Sequence, residues 1–78
     1  MKILVVDDEV LIRDVIREYL QLEGYSVDEA SDGEDAISKC KYNDYSLVIM
    51  DIMMPHKDGF QACREIKEMK DIPFIMLS

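Results

Sequence analysis

Seventy-eight residues confine this chain to one domain, near the lower end of what folds alone, and a hydrophobic fraction of 49 % supplies a core and excludes wholesale disorder. A net charge of −8 excludes a sequence-independent nucleic-acid binder, which needs surplus Lys and Arg to neutralise phosphates. It suits a protein that binds cations or basic partner surfaces.

Ile3-Leu4-Val5-Val6 is a continuous apolar run, β-branched at three of four positions, and it predicts a strand buried on both faces. From Val10 to Glu23 the apolar residues fall as Leu11/Ile12, Val15/Ile16 and Tyr19/Leu20. That spacing makes one helical stripe, with Arg13, Asp14, Arg17 and Glu18 on the other side. Gly24 stands where a left-handed C-terminal cap belongs. Tyr25 to Ala30 predicts a weaker second strand. Ser31 or Asp32 can cap a second helix whose inner face is Ala36, Ile37 and Cys40, with Glu34 placed for a capping box from Ser31. Leu47-Val48-Ile49-Met50 predicts another doubly buried strand. Asp58 caps a third helix, with Gln61 at the reciprocal position and Phe60, Cys63, Ile66 and Met69 facing inward. Pro73 opens a last apolar run, Phe74 to Leu77, a fourth strand that ends on Ser78.

The pattern is βαβαβαβ. Strands alternating with helices imply parallel pairing through right-handed crossovers, and strands apolar on both faces need helices on both. The expected fold is therefore a doubly wound, parallel α/β sheet. Cys40 and Cys63 show no metal-ligand or CxxC spacing, so free thiols are expected rather than a disulfide scaffold. No apolar run approaches the about 20 residues that span a bilayer, and no signal peptide is visible. A soluble, cytoplasmic protein without membrane contact is expected.

In open α/β sheets, ligands bind beyond the carboxyl ends of the strands. Here the first strand ends in Asp7-Asp8-Glu9, the third in Asp51 and the fourth in the hydroxyl of Ser78. If strands one and three are neighbours, several carboxylates share one small volume. Crowded carboxylates raise one another's pKa or recruit a cation, and a hard, oxygen-ligated ion such as Mg²⁺ fits best. The bland alternative is that these acids are solvated loop residues or caps. Three of them at matching strand ends favour a site.

On these residues the chain resembles the receiver domains of two-component response regulators. The resemblance rests on Ile3 to Glu9, on Leu47 to Pro55, on Asp58-Gly59 and on Ser78, and it runs along the whole chain. It implies a flavodoxin-like receiver fold with strand order 2-1-3-4-5. It also implies that Asp51 is a phosphoacceptor, forming an acyl phosphate on its carboxylate. By the same resemblance Asp8 and Asp51 ligate Mg²⁺ directly, the backbone carbonyl of Met53 is a third ligand, and Asp7 acts through a metal-bound water. Ser78 is similar to the family's switch hydroxyl, which hydrogen-bonds a phosphoryl oxygen once the acceptor is modified. The implied phosphodonor is a sensor histidine kinase, and the module is a switch rather than an enzyme. Pro55 and Gly59 are expected to restrict the loop and start the next helix. The Met53 side chain is expected near the site, and His56 in solvent.

Relative to the family's pattern, residues 1–78 correspond to the N-terminal part of the domain. Helix four, strand five and helix five are not among them, nor is the Lys after strand five that pairs with the phosphoryl group. Strand order 2-1-3-4 is therefore expected, with slow phosphorylation. The bare apolar face and open edge of the last strand should drive formation of a homodimer or larger assembly. An alternative is a fold fragment or interaction module without efficient phosphotransfer. A haloacid-dehalogenase-type phosphatase would need D-x-D, whereas Asp51 is followed by Ile52-Met53. A P-loop binder would need G-x-x-x-x-G-K-[ST], which is absent.

Overall fold

In the computed structural model, which describes residues 1–77, strands and helices alternate along the chain. They are β1 (Lys2–Val6), α1 (Val10–Leu22), β2 (Ser26–Ala30), α2 (Gly33–Tyr42), β3 (Leu47–Asp51), α3 (Gly59–Met69) and β4 (Phe74–Leu77). The four strands form one sheet in the order β2-β1-β3-β4, and every pairing is parallel. The doubly wound α/β fold and the 2-1-3-4 order are as expected. Register decides where the site lies. Val6 is level with Ala30 on one side and Met50 on the other, so Asp7, just past β1, and Asp51, the last residue of β3, stand side by side.

Successive side chains of a strand point to opposite faces. Leu4 and Val6 of β1 and Val48 and Met50 of β3 pack with Ala36 and Cys40 of α2 and Ala62 and Ile66 of α3, all essentially inaccessible to water. This is the main core. Ile3 and Val5 are buried on the opposite face, where α1 packs over β1 and β2. There the expectation of a doubly buried strand fails for β3, whose Leu47 and Ile49 are only half-buried, and the bare face expected at the last strand is present, with Ile75 48 % exposed. The cause is geometric. α1 covers the β1–β2 half of that face, and among the described residues no other element covers the remainder.

Helix ends follow local chemistry. Gly24 adopts φ 92°, and hydrogen bonds from Gly24 N–H to the Gln21 carbonyl (3.0 Å) and from Tyr25 N–H to the Leu20 carbonyl (3.1 Å) close α1. Asp58 and Gln61 form the expected capping box, the Asp58 carboxylate accepting from Gln61 N–H at 2.9 Å. At α2 the cap is Asp32, which accepts from Asp35 N–H at 2.8 Å, and the capping box expected from Ser31 and Glu34 does not form. Glu34 instead pairs with Lys57 at 2.8 Å. The inner face of α3 also differs. Gly59, Ala62 and Ile66 are buried, whereas Phe60 is 54 % and Met69 43 % exposed. Small residues let the helix approach the core closely, which places the bulky ones at its flanks.

Candidate functional site

Asp7 follows directly from the buried strand β1, and its side chain stays under cover: the residue is only 4 % exposed. Its N–H continues the sheet by donating to the Ala30 carbonyl (3.2 Å), and its carboxylate accepts from Glu9 N–H (2.9 Å). Asp8, next in the chain, is exposed, and Asp51 at the end of β3 is half-buried. Asp51 accepts a hydrogen bond from Met53 N–H at 3.2 Å. Carboxylate oxygens of Asp7, Asp8 and Asp51 all lie within 4.8 Å of one another. The expected convergence of acids is therefore present. Asp7 and Asp51 open onto a cleft whose other walls are Glu9, Ile12, Met53 and Leu77.

Burial pushes the Asp51 carboxyl above its usual range, and the charges of Asp7 and Asp8 push it further, while Met53 N–H works the other way. None of the ion pairs among the described residues involves Asp7, Asp8 or Asp51. A cluster made only of carboxylate oxygens, with no basic side chain to neutralise it, suits a hard divalent cation.

The loop from β3 to α3 forms one wall of the cleft. Gly59 is needed there for close approach: a Cβ on it would lie 2.3 Å from the Asp51 carbonyl oxygen and 2.9 Å from Ile52 Cα. Its N–H donates to the Ile52 carbonyl at 2.9 Å. Helix initiation, the role expected for it, is thus only part of what Gly59 does. Met53 is exposed beside the cleft, as expected, and His56 is exposed at φ 69°. Lys57 links Glu34 of α2 with Glu65 of α3, which ties the loop to both helices. Ser78, the expected switch hydroxyl, lies outside the described residues.

Sequence reading missed a second layer behind the acids. The Arg13 Nη1–H donates to the Asp7 carbonyl (2.8 Å) and its Nε–H to Glu29 (3.1 Å), while Arg17 reaches the other Glu29 oxygen at 2.9 Å. Both arginines sit on the polar side of α1, where periodicity suggests only solvation. Their partner is on β2, and no local signal announces it.

A family model for the response regulator receiver domain matches residues 3–78. The chain belongs to the receiver family. This receiver is 51 % identical over 77 residues to the transcriptional regulatory protein ResD of Bacillus subtilis, a match covering 99 % of this chain and 32 % of ResD. It is 46 % identical to the probable transcriptional regulator ycf27 of Porphyridium aerugineum, with the same two coverages. The receiver thus spans about a third of the length of these curated relatives. Among solved structures it superposes on the response regulator TrrA of Thermotoga maritima in complex with Mg²⁺-BeF, at TM-score 0.92 and 46 % identity over 96 % of this chain and 66 % of that one. TrrA has also been solved in complex with the histidine kinase ThkA, and that structure matches at TM-score 0.92 and 46 % identity, covering 99 % of this chain and 67 % of that one. The resemblance read from the residues is therefore membership of the receiver family. Among the described residues, no helix of the receiver is long and apolar enough to cross a membrane.

Proposed function

We propose that the receiver accepts a phosphoryl group on Asp51 from a phosphohistidine of a sensor histidine kinase, with Mg²⁺ held at the acidic cluster. The observation that carries this reading is the convergence of Asp7, Asp8 and Asp51 within 4.8 Å at the ends of adjacent strands. In the reading, Asp8, Asp51 and the Met53 backbone carbonyl hold the ion, and Asp7, oriented by Glu9 N–H, holds one of its waters. Bound Mg²⁺ supplies positive charge that offsets repulsion between the carboxylates and an incoming phosphoryl group. The raised proton affinity of Asp51 supports the fit, because a carboxyl crowded by like charges gains most from a cation.

In the transfer, an ionised Asp51 oxygen attacks phosphorus. An O–P bond forms as the P–N bond of the phosphohistidine breaks, and the imidazole leaves with the bonding electrons and takes a proton from water. Met53 N–H helps by favouring the ionised carboxylate. Ser78 is the hydroxyl that would then engage the phosphoryl oxygen. The complex of TrrA with ThkA supports a histidine kinase as donor. The names of ResD and ycf27 support transcriptional control as the output of a longer protein that contains this receiver.

The test is to incubate the protein with acetyl phosphate and Mg²⁺ and weigh it intact. The wild type should gain one phosphoryl group, slowly, and lose that gain when the metal is chelated. Asp51→Asn should gain none, and a variant that still did would overturn the assignment.

A further inference from the structure

We infer that Arg13 is a positioning residue for the acidic pair, fixing the peptide group between Asp7 and Asp8 so that their carboxylates converge with Asp51. The inference rests on the metal-site reading above and adds a residue to it. A peptide group is planar, so the direction of the Asp7 carbonyl sets the direction of the Asp8 N–H and the path on which the Asp8 side chain leaves the backbone. Beyond β1 that carbonyl accepts from Arg13 Nη1–H at 2.8 Å, across one turn of α1. The Asp7 carboxylate is held separately by Glu9 N–H at 2.9 Å. Each acid is thereby oriented by a hydrogen bond from outside the acidic cluster.

Arg13 can do this only if it is itself held. Its Nε–H donates to Glu29 at 3.1 Å, and its side chain is 15 % exposed. Glu29 is fixed in turn by Arg17 at 2.9 Å, and Arg17 by Asp14 at 2.9 Å. Burial alone would raise the Glu29 carboxyl, but hydrogen bonds from Arg17 and Arg13 outweigh it and hold Glu29 ionised. The two guanidinium groups are matched by the carboxylates of Glu29, Asp14 and, at 3.9 Å, Glu18, so the cluster holds no surplus positive charge. Arg13 therefore reaches Asp7 as a geometric hydrogen-bond donor, and its forked, planar head is what lets one side chain serve both Asp7 and Glu29.

The experiment is a MgCl₂ titration followed by the amide shifts of residues 7–9 and 51–54, with melting temperature measured alongside. Arg13→Met should weaken Mg²⁺ binding roughly tenfold, the size of effect seen when a group that orients a metal ligand is removed. It should also shift the Asp8 amide before any metal is added. Arg13→Lys keeps the charge but replaces the rigid, planar fork that donates from two separate nitrogens with one flexible ammonium point, so it should bind Mg²⁺ as weakly as Arg13→Met and serves if the latter does not fold. Arg17→Met loosens Glu29 but leaves Arg13 its own bonds to Asp7 and Glu29; it should lower the melting temperature and weaken Mg²⁺ binding far less than Arg13→Met, by about twofold. Wild-type affinity in Arg13→Lys, or an equal loss of affinity in Arg17→Met, would overturn the positioning role while leaving the metal site intact. Should Mg²⁺ leave the amides of residues 7–9 and 51–54 unmoved in the wild type, the site reading falls and the inference with it.

Discussion

Asp51 carries an electrostatic cost in the absence of a cation, because it is half-buried beside two other acids. Its folded pKa lies above its unfolded value, through burial first and then the charges of Asp7 and Asp8. The folded state thus binds more protons, and Asp51 costs stability as pH rises through and beyond the usual carboxylate range. Asp51→Asn should therefore melt higher than wild type at neutral pH without metal, and the difference should vanish in acid. Saturating Mg²⁺ should reverse the order, because the variant has lost a ligand. Calorimetry across pH, with and without Mg²⁺, checks all three outcomes. Gly59→Ala forces a methyl group against the Asp51 backbone and should destabilise by about 1–3 kcal/mol, with shifts at the Asp51 and Ile52 amides. At this scale the acids were legible in the sequence because each directly follows an unmistakable strand. Gly59 against Asp51 and Arg13 against Asp7 were not, since both depend on how separate segments meet in space.

Elements were legible where their signals are local. The run Ile3 to Val6, the turn at Gly24 and the Asp58–Gln61 capping box all declare themselves within a few residues, and each is found in the fold. Asp58→Ala should cost about 1 kcal/mol and fray the start of α3, which a denaturant titration would measure. The inward face of α3 was misread because two stripes compete there. Ile66 belongs to both, and packing distance selects the one with Gly59 and Ala62 over the one with larger Phe60 and Met69. A tie between elements was also hidden from local reading. The hydroxyl of buried Tyr45, just before β3, donates to Asp28 of β2 at 2.6 Å, and Lys2 of β1 pairs with the same carboxylate at 3.1 Å. The hydrogen bond from Tyr45, with help from Lys2, holds the Asp28 carboxyl below its usual value. That contribution is present above the unfolded carboxylate pKa and is lost as pH falls through the folded one. Tyr45→Phe should cost about 1 kcal/mol at neutral pH and shrink the stability lost on acidification.

Over the whole molecule, burial is lopsided. The α2–α3 side of the sheet is sealed, whereas on the α1 side Val15, Ile16, Tyr19, Leu20, Ile49 and Ile75 line an open apolar groove of about 380 Å³. β4 lies at the edge of the sheet beside that groove. A chain of these 78 residues should self-associate at micromolar concentration, through either feature. Its net charge of −8 opposes close approach of two copies, so association should strengthen with added salt. Light scattering after size exclusion reads this directly, and a folded 9.1 kDa species unaffected by salt would contradict it. The uneven cover was legible from topology, because right-handed crossovers put α1 alone on one face.

The central claim is chemical: the strand-end cluster makes Asp51 the one acceptor of a phosphoryl group. An acyl phosphate is reduced by borohydride to the corresponding alcohol, whereas a phosphate ester is not. The protein should be charged with acetyl phosphate and Mg²⁺, reduced, digested and sequenced by mass spectrometry. The account predicts homoserine at position 51 and at no other acid. Reduction at Asp7 or Asp8 instead, or a phosphate that survives borohydride on a hydroxyl, would contradict it.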